Sequence, residues 1–456
     1  MSAGDREDAV SGRTAEDRTA EDRTAADRTG PDPTQGIRRV AAQRLAGFGE
    51  SVIREMTRLA VQHGAVNLSQ GFPDFAAPEE VKDAAIAAIR ADVNQYAVTW
   101  GMPAFRRAIA EQYAARGWPE IDADAEVTVA CGATETIAAA ILALVDEGDE
   151  IVVFEPLHES YAPAAMLAGA RVVPVPLRPP SWTFEVEDLE RSIGPRTRAI
   201  ILTNPHNPTG RVFTADELDA IARLCREHDL LAVTDEIYEH IVYEGEHLFL
   251  AQVSGMRDRT VTVSAMSKTY AVTGWRVGWA VAAPPLTDAI RKVHDFMTIA
   301  APAPFQAAGV AALGLGPEYY RRTREDYRSR LETALQIAAS AGIETTRPEG
   351  AYYLLGDVSP HMDALGVRDS ADLVRWLIRE ARIALVPGSA LYLTPEAGRT
   401  RVRLAFSKRA ETLVTAGERL ASAARILGVP VFAQRQATHP VRLGTGEGSG
   451  SDGWAA

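Results

Sequence analysis

The chain has 456 residues, 46% hydrophobic and 24% charged, enough for two domains around a large core. Its 61 acidic against 48 basic residues leave a formal net charge of −13, which argues against a nucleic-acid backbone as the main partner, because such binding rests on phosphate neutralisation by Lys and Arg. Two cysteines, Cys131 and Cys225, build neither a disulfide framework nor a zinc-ligand spacing.

In chain order, residues 1–35 carry the repeated phrase GRTAED, RTAED, RTAAD and no aromatic residue, which predicts a disordered tail without an apolar secretory run. The cytoplasm is the expected compartment, and no segment reaches the roughly 18 apolar residues of a membrane span. Residues 36–79 are expected to pack with a smaller C-terminal domain. A large domain then spans 80–316. In it VTVACGATETIAAAILALV runs from a strand through a small-residue turn into a helix, and EIVVFEP, RAIILTNP, LLAVTDE and TVTVSAMSK read as short β-branched strands. Between the second and third of these, TADELDAIARLCREHD reads as a helix. Thr214 and Glu217 have the spacing of a capping box, and Leu218, Ile221, Leu224 and Cys225 share its apolar face. Near-continuous apolar strands alternating with helices imply an α/β fold with a mostly parallel sheet covered on both sides. From 317 to 430 the pattern changes to a long helix near 317–341, the stretch ETTRPEGAYYLLGDVS, a helix near 371–381, and the strands of RIALVPGSALY and RVRLAFS, predicting a smaller α+β domain. Residues 431–456, rich in Gly and Ser, read as a second flexible tail.

Distinctive polar residues fall just past the strand ends: His158, Asn207, Asp235 and Lys268. Ligands of open α/β sheets bind at that edge. In SAMSKTYAVTGWRVGWA a lysine follows a strand and Arg276 lies eight residues on. A buried lysine near a cation loses its proton readily, as a Schiff-base amine must, and Arg276 can grip a phosphate as a fork. By itself a lysine at a strand end is more often a surface residue. In TDEIYEH, Asp235 can face a pyridine nitrogen and Tyr238 a phenolic oxygen, although an acid after a strand is commonly a helix cap. TNPHNPTG is a turn-rich loop that also presents Asn207. Backbone N–H groups at Gly132, Ala133 and Thr134 open a helix and point at an anion, a signal that is weak alone. No G-x-G-x-x-G, P-loop, H-E-x-x-H or G-x-S-x-G pattern offers a dinucleotide, nucleotide, metal or serine-hydrolase site.

Together Asn207, Asp235, Tyr238, Lys268 and Arg276 have the order and spacing of the class I/II aminotransferases, fold type I of the enzymes that use pyridoxal 5′-phosphate (PLP). The chain resembles that family over roughly residues 36–430. NLSQGFPDF, NQYAVTWGMPAFRRAIA and ALVDEGDEIVVFEP resemble the kynurenine aminotransferase, glutamine transaminase K and methionine aminotransferase group. The resemblance implies a PLP transaminase in which Lys268 holds the cofactor and moves the proton. Asp235 would bind the pyridinium nitrogen, and Tyr238 and Asn207 the phenolic oxygen. Gly132, Ala133, Thr134, Ser267 and Arg276 would surround the phosphate. Arg403, in RVRLAFS, would clamp the substrate carboxylate, with Gly71 beside the substrate. Tyr96 would reach the phosphate of a neighbouring subunit, making the active unit a homodimer. The implied substrates are an L-amino acid and a 2-oxo acid, exchanged by ping-pong kinetics, and the apolar character of Trp100, Tyr353 and residues 294–304 favours neutral or aromatic side chains. A β-lyase, an oxidase or hydroxylase, or a binding protein on the same fold are the competing outcomes.

Three positions depart from the family pattern. His158 stands where an aromatic ring usually stacks on the cofactor. Ala265 replaces a usual Ser or Gly, so that one phosphate hydroxyl is missing or Ser264 replaces it. Ile53 stands where the kynurenine branch has a pocket aromatic. Trp100, Tyr353 and residues 294–304 are expected to line the side-chain pocket.

Overall fold

The computed structural model describes residues 42–45 and 49–431. The expected tails lie outside the described residues, apart from residue 431. Thirteen strands occur among the described residues. They are β1 (Val66–Asn67), β2 (Val127–Ala130), β3 (Glu150–Glu155), β4 (Arg171–Pro176), β5 (Thr197–Thr203), β6 (Leu231–Asp235), β7 (Thr260–Ala265), β8 (Gly278–Val281), β9 (Glu344–Thr345), β10 (Tyr353–Asp357), β11 (Ile383–Ala384), β12 (Val386–Pro387) and β13 (Arg401–Ala405).

Seven of them form the main sheet in the order β2-β8-β7-β6-β5-β3-β4. The pairs from β4 through β7 are parallel, and β8 runs antiparallel to both β7 and β2. The alternation of apolar side chains explains why helices cover both faces. Ile151, Val153, Ile201, Val233 and Val263 pack with Ala133, Ile137 and Ile141 of the helix Ala133–Leu144. Val152, Phe154, Ile200, Leu202 and Ala232 pack with Leu218, Ile221 and Cys225 of the helix Ala215–Glu227. Each fully buried Val, Leu, Ile or Phe among them stabilises the fold by roughly 1.5–3 kcal/mol, and close packing leaves the strand ends little freedom to move. The expected capping box is present: Thr214 Oγ1 accepts from Glu217 N at 3.3 Å, and Glu217 Oε2 accepts from Thr214 N at 2.9 Å.

A second sheet, β12-β13-β10-β9, is antiparallel throughout. The long helix Pro317–Ser340 and the helix Ala410–Leu427 pack on the core it shares, through Leu331, Ala334, Leu413 and Leu420. The helix expected near 371–381 is Ser370–Trp376, continued as a π-helical turn over Leu377–Ala381. β1 pairs in parallel with β11, Val66 opposite Ile383, and Met56, Ala60 and Leu68 join the same core. The residues after β3, β5, β6 and β7 all emerge at one sheet edge, because those four strands are parallel.

Candidate active site

One cleft opens at that edge, and the sequence-derived candidates Gly71, Ala133, Thr134, His158, Asn207, Asp235, Tyr238, Ser267, Lys268, Arg276 and Arg403 line it. Gly132 is the residue preceding the helix Ala133–Leu144, at φ 86°, and Tyr96 is 80% exposed and outside this lining.

Lys268 lies on the single turn Met266–Thr269 that follows β7, and its Nζ donates to Gly71 O at 2.7 Å. Burial pulls its pKa down from 10.5 to about 8. Asp235 opposes that shift, and Arg276, Arg403 and Lys408 add to it. Asp235 closes β6, almost fully buried. Its Oδ2 accepts from the Tyr161 hydroxyl at 2.7 Å, and Tyr161 in turn lies 2.6 Å from Thr203 Oγ1 at the end of β5. Burial raises the Asp235 carboxyl pKa, while the Tyr161 hydroxyl and the Ile237 N–H act against the rise.

Tyr238 and Tyr353 share a hydrogen bond of 2.8 Å between their hydroxyls. Asn207 Oδ1 accepts from Arg403 Nη1 at 3.0 Å, and Arg403 Nη2 donates to Ser69 O at 3.1 Å. The Arg403 guanidinium lies 4.4 Å from the Tyr353 ring centroid, and its buried Nε has no hydrogen-bond partner among the described residues. Asn207 therefore has Oδ1 occupied and Nδ2 left to donate.

Arg276 sits in the left-handed region, φ 55°, and its Nη1 donates to Thr273 O at 2.9 Å. A Cβ at Gly132 would collide with this guanidinium, so glycine is what lets Arg276 approach the first turn of the helix. A Cβ at Gly278 would equally strike the backbone of Gly132 and Ala133. The result is a cation beside free helix N–H groups, an arrangement that suits an anion.

His158 Nδ1 lies 2.7 Å from Ser160 Oγ. Its ring opens partly onto the cleft yet is surrounded by protein. Burial pulls its pKa down to about 3, helped by Arg403 and Lys268, so the ring is uncharged at neutral pH.

Two sequence expectations are corrected. Ser264 is not a spare phosphate hydroxyl: its Oγ is buried and donates to Glu239 Oε1 at 2.6 Å. Trp100 and residues 294–304 do not line this cleft. Trp100 lies under Arg291, 5.1 Å from ring centroid to guanidinium, and His294 is buried between Glu135 and Thr99 O. Tyr353 does line the cleft, as does Ile53.

Several residues escaped the sequence reading. Tyr161 lies three residues after His158 in the same EPLHESY phrase, a spacing that places both beside one turn. Lys408 is buried, and its Nζ donates to Phe72 O at 2.8 Å and Gln70 O at 3.2 Å, flanking the carbonyl that holds Lys268. Glu159, Ser160, Gln70, Ile137, Ile237 and Thr273 complete the walls. Among the described residues no group of three or more potential ligands could hold a metal ion, and no helix is long and apolar enough to cross a membrane.

Comparison with known proteins agrees with this geometry. The family described as aminotransferase class I and II matches residues 63–420. The methionine aminotransferase of Escherichia coli is 36% identical over 382 residues, covering 84% of this chain and 98% of that protein. A probable N-succinyldiaminopimelate aminotransferase of Mycobacterium tuberculosis is 38% identical over 411 residues, 88% of this chain and 100% of that one. Human kynurenine–oxoglutarate transaminase 1 is 32% identical, covering 84% and 98%. Among solved structures, N-succinyldiaminopimelate aminotransferase from Mycobacterium tuberculosis superposes with a TM-score of 0.81 at 37% identity, over 84% of this chain and all of that one. With the sheet edge, the buried lysine and these relatives in agreement, the chain belongs to the class I and II aminotransferases, a family of PLP-dependent enzymes.

Proposed function

We propose that Lys268 carries PLP in this cleft and that the enzyme exchanges an amino group between an L-amino acid and a 2-oxo acid in two half-reactions. The observation that carries the reading is a buried lysine of lowered pKa sharing one cleft with a buried carboxylate and two arginines. The residues fit the cofactor. Gly132 leaves room for Arg276 beside the helix N-terminus, and Ser267 lines the same region, so a phosphate has donors. When bound, PLP supplies an electron sink for negative charge developing at the substrate Cα.

The chain's own groups do the rest. Neutral Lys268 Nζ would take and return the substrate Cα proton, a general-base role suited to a pKa near the working pH. Asp235, held by Tyr161, would face the pyridine nitrogen and keep it protonated. The Tyr238 hydroxyl, now shared with Tyr353, and the free Nδ2 of Asn207 would donate to the phenolic oxygen. Arg403 offers its fork to the α-carboxylate, with Gly71 and Tyr353 as the adjoining wall. Uncharged His158 presents a flat ring for stacking, which favours retention of ordinary transamination over a different reaction.

The active unit is proposed to be a homodimer. Tyr96 projects outward, and Val98, Phe296, Met297 and Ile299 are exposed as well, with Phe296 at 93%. An exposed apolar set of that kind marks an interaction site.

The test is a half-reaction. Holoenzyme mixed with a neutral amino acid and no acceptor is expected to lose its yellow absorbance and release one 2-oxo acid per site. Release of ammonia or peroxide instead would contradict transamination. Arg403→Ala removes a buried, hydrogen-bonded cation, an effect of about 2–5 kcal/mol. It is expected to lower kcat/KM at least roughly 30-fold, mainly through KM. A KM within about twofold of the parent's would remove Arg403 from the carboxylate site.

A further inference from the structure

Tyr353 opens β10, and Tyr238 lies three residues past the end of β6, so the hydrogen bond between their hydroxyls joins the second sheet to the main one. Both side chains are buried, and their rings meet edge to face with centroids 5.8 Å apart. Two further contacts fix Tyr353. The Arg403 guanidinium lies over its ring. A Cβ at Gly71 would collide chiefly with the Tyr353 hydroxyl, so glycine at 71 keeps a place for that oxygen. Packing alone does not call for the hydroxyl, because a phenylalanine ring would fill the same stack without burying a polar group. Two hydroxyls carry two protons, and the bond between them uses one. With Tyr353 as the donor, the Tyr238 proton stays free for another acceptor, and a hydroxyl that accepts a hydrogen bond donates more strongly.

We propose that Tyr353 is a positioning residue that donates to the Tyr238 hydroxyl and so strengthens the hydrogen bond from Tyr238 to the cofactor's phenolic oxygen. This role rests on the reading of Lys268 as the bearer of PLP and deepens it. A donor to the phenolic oxygen favours loss of the proton that the bound cofactor shares with Lys268 Nζ, because the oxygen then holds its negative charge alone. Tyr353 therefore lowers the pH at which that proton leaves and helps to set the pH range in which the enzyme works. The whole relay lies within one chain: a residue of the second sheet acts on the cofactor through a residue of the main one.

The experiment follows the yellow absorbance of the holoenzyme against pH with no amino acid present. The colour fades as the shared proton leaves, so the midpoint reads that proton and not turnover. Tyr353→Phe keeps the ring under Arg403 and removes one oxygen. Its midpoint is expected about 0.5–1 pH unit above the parent's, the scale of one hydrogen bond. Tyr238→Phe is expected to raise the midpoint further. The double variant is expected to match Tyr238→Phe within about 0.3 pH unit, because Tyr353 then has nothing to act through. The midpoint belongs to the coloured molecules alone, so a partial folding loss does not enter it. A Tyr353→Phe midpoint at or below the parent's, or a double variant more than about 0.3 pH unit above Tyr238→Phe, overturns the relay while Lys268 remains the bearer of PLP. A parent protein that takes up no yellow cofactor overturns that reading, and the relay with it.

Discussion

Replacing Lys268 with alanine is expected to abolish turnover, with a loss of more than about ten-thousandfold in the half-reaction. Two roles disappear together: the covalent anchor and the base that moves the Cα proton. Base catalysis alone is worth roughly 10²–10⁴-fold, and the nucleophilic role adds to it. Because the cradle at Gly132, Ala133, Thr134 and Arg276 is untouched, the variant is expected to retain PLP non-covalently, released by dialysis where the parent keeps it. The lysine's burial adds a pH dependence. A pKa lowered from 10.5 to about 8 means that the neutral, nucleophilic amine appears as pH rises through about 8, well below the point for a solvated lysine. Acylation of the apoprotein, followed by peptide mapping, is expected to show position 268 becoming reactive in that window. A Lys268→Ala enzyme within about tenfold of the parent rate would show that another group carries the chemistry.

Asp235→Asn is expected to lower the half-reaction rate by roughly 10²–10³-fold with cofactor still bound. Preorganised charge aimed at the developing transition state is commonly the largest single catalytic contribution. An amide in this position cannot hold the pyridine nitrogen in its protonated form. The Tyr161 hydroxyl that now donates to Asp235 Oδ2 at 2.7 Å would find a weaker, uncharged acceptor. A second consequence has a definite sign. Asp235 holds the Lys268 pKa up against burial, so removing its charge is expected to move the apoprotein acylation midpoint of Lys268 further down. A rate within about threefold of the parent's, or a midpoint that moves up, would contradict the placement of Asp235 opposite the nitrogen.

Much of the scaffold is legible in the chain because its strands are short, β-branched and separated by capped helices. EIVVFEP, RAIILTNP, LLAVTDE and TVTVSAMSK each became a strand of the parallel sheet, and Thr214 and Glu217 form their capping box. Parallel strands send their C-terminal ends to one edge, so the chemistry-bearing residues of four separate segments were found by one rule. What was not legible depends on contacts between segments far apart in sequence. Ser264 was the candidate to replace the hydroxyl that Ala265 lacks, yet strand alternation turns it toward Glu239. Trp100 and His294 are taken up by Arg291, Glu135 and Thr99. Lys408 meets the carbonyls of Gln70 and Phe72 across more than 330 residues, and Ser51 meets Glu159 across 108, separations that no local pattern encodes. The stacking position read as His158 was visible, but its uncharged state follows only from burial beside Arg403 and Lys268.

The central claim is that the amine at position 268 bears the cofactor, and borohydride reduction tests it most directly. Treating native holoenzyme with borohydride, digesting it and mapping the peptides is expected to find a reduced pyridoxyl phosphate group on Lys268, with the yellow colour lost on reduction. A native enzyme that is colourless, or a label found at Lys408 or elsewhere with position 268 unmodified, would contradict the account.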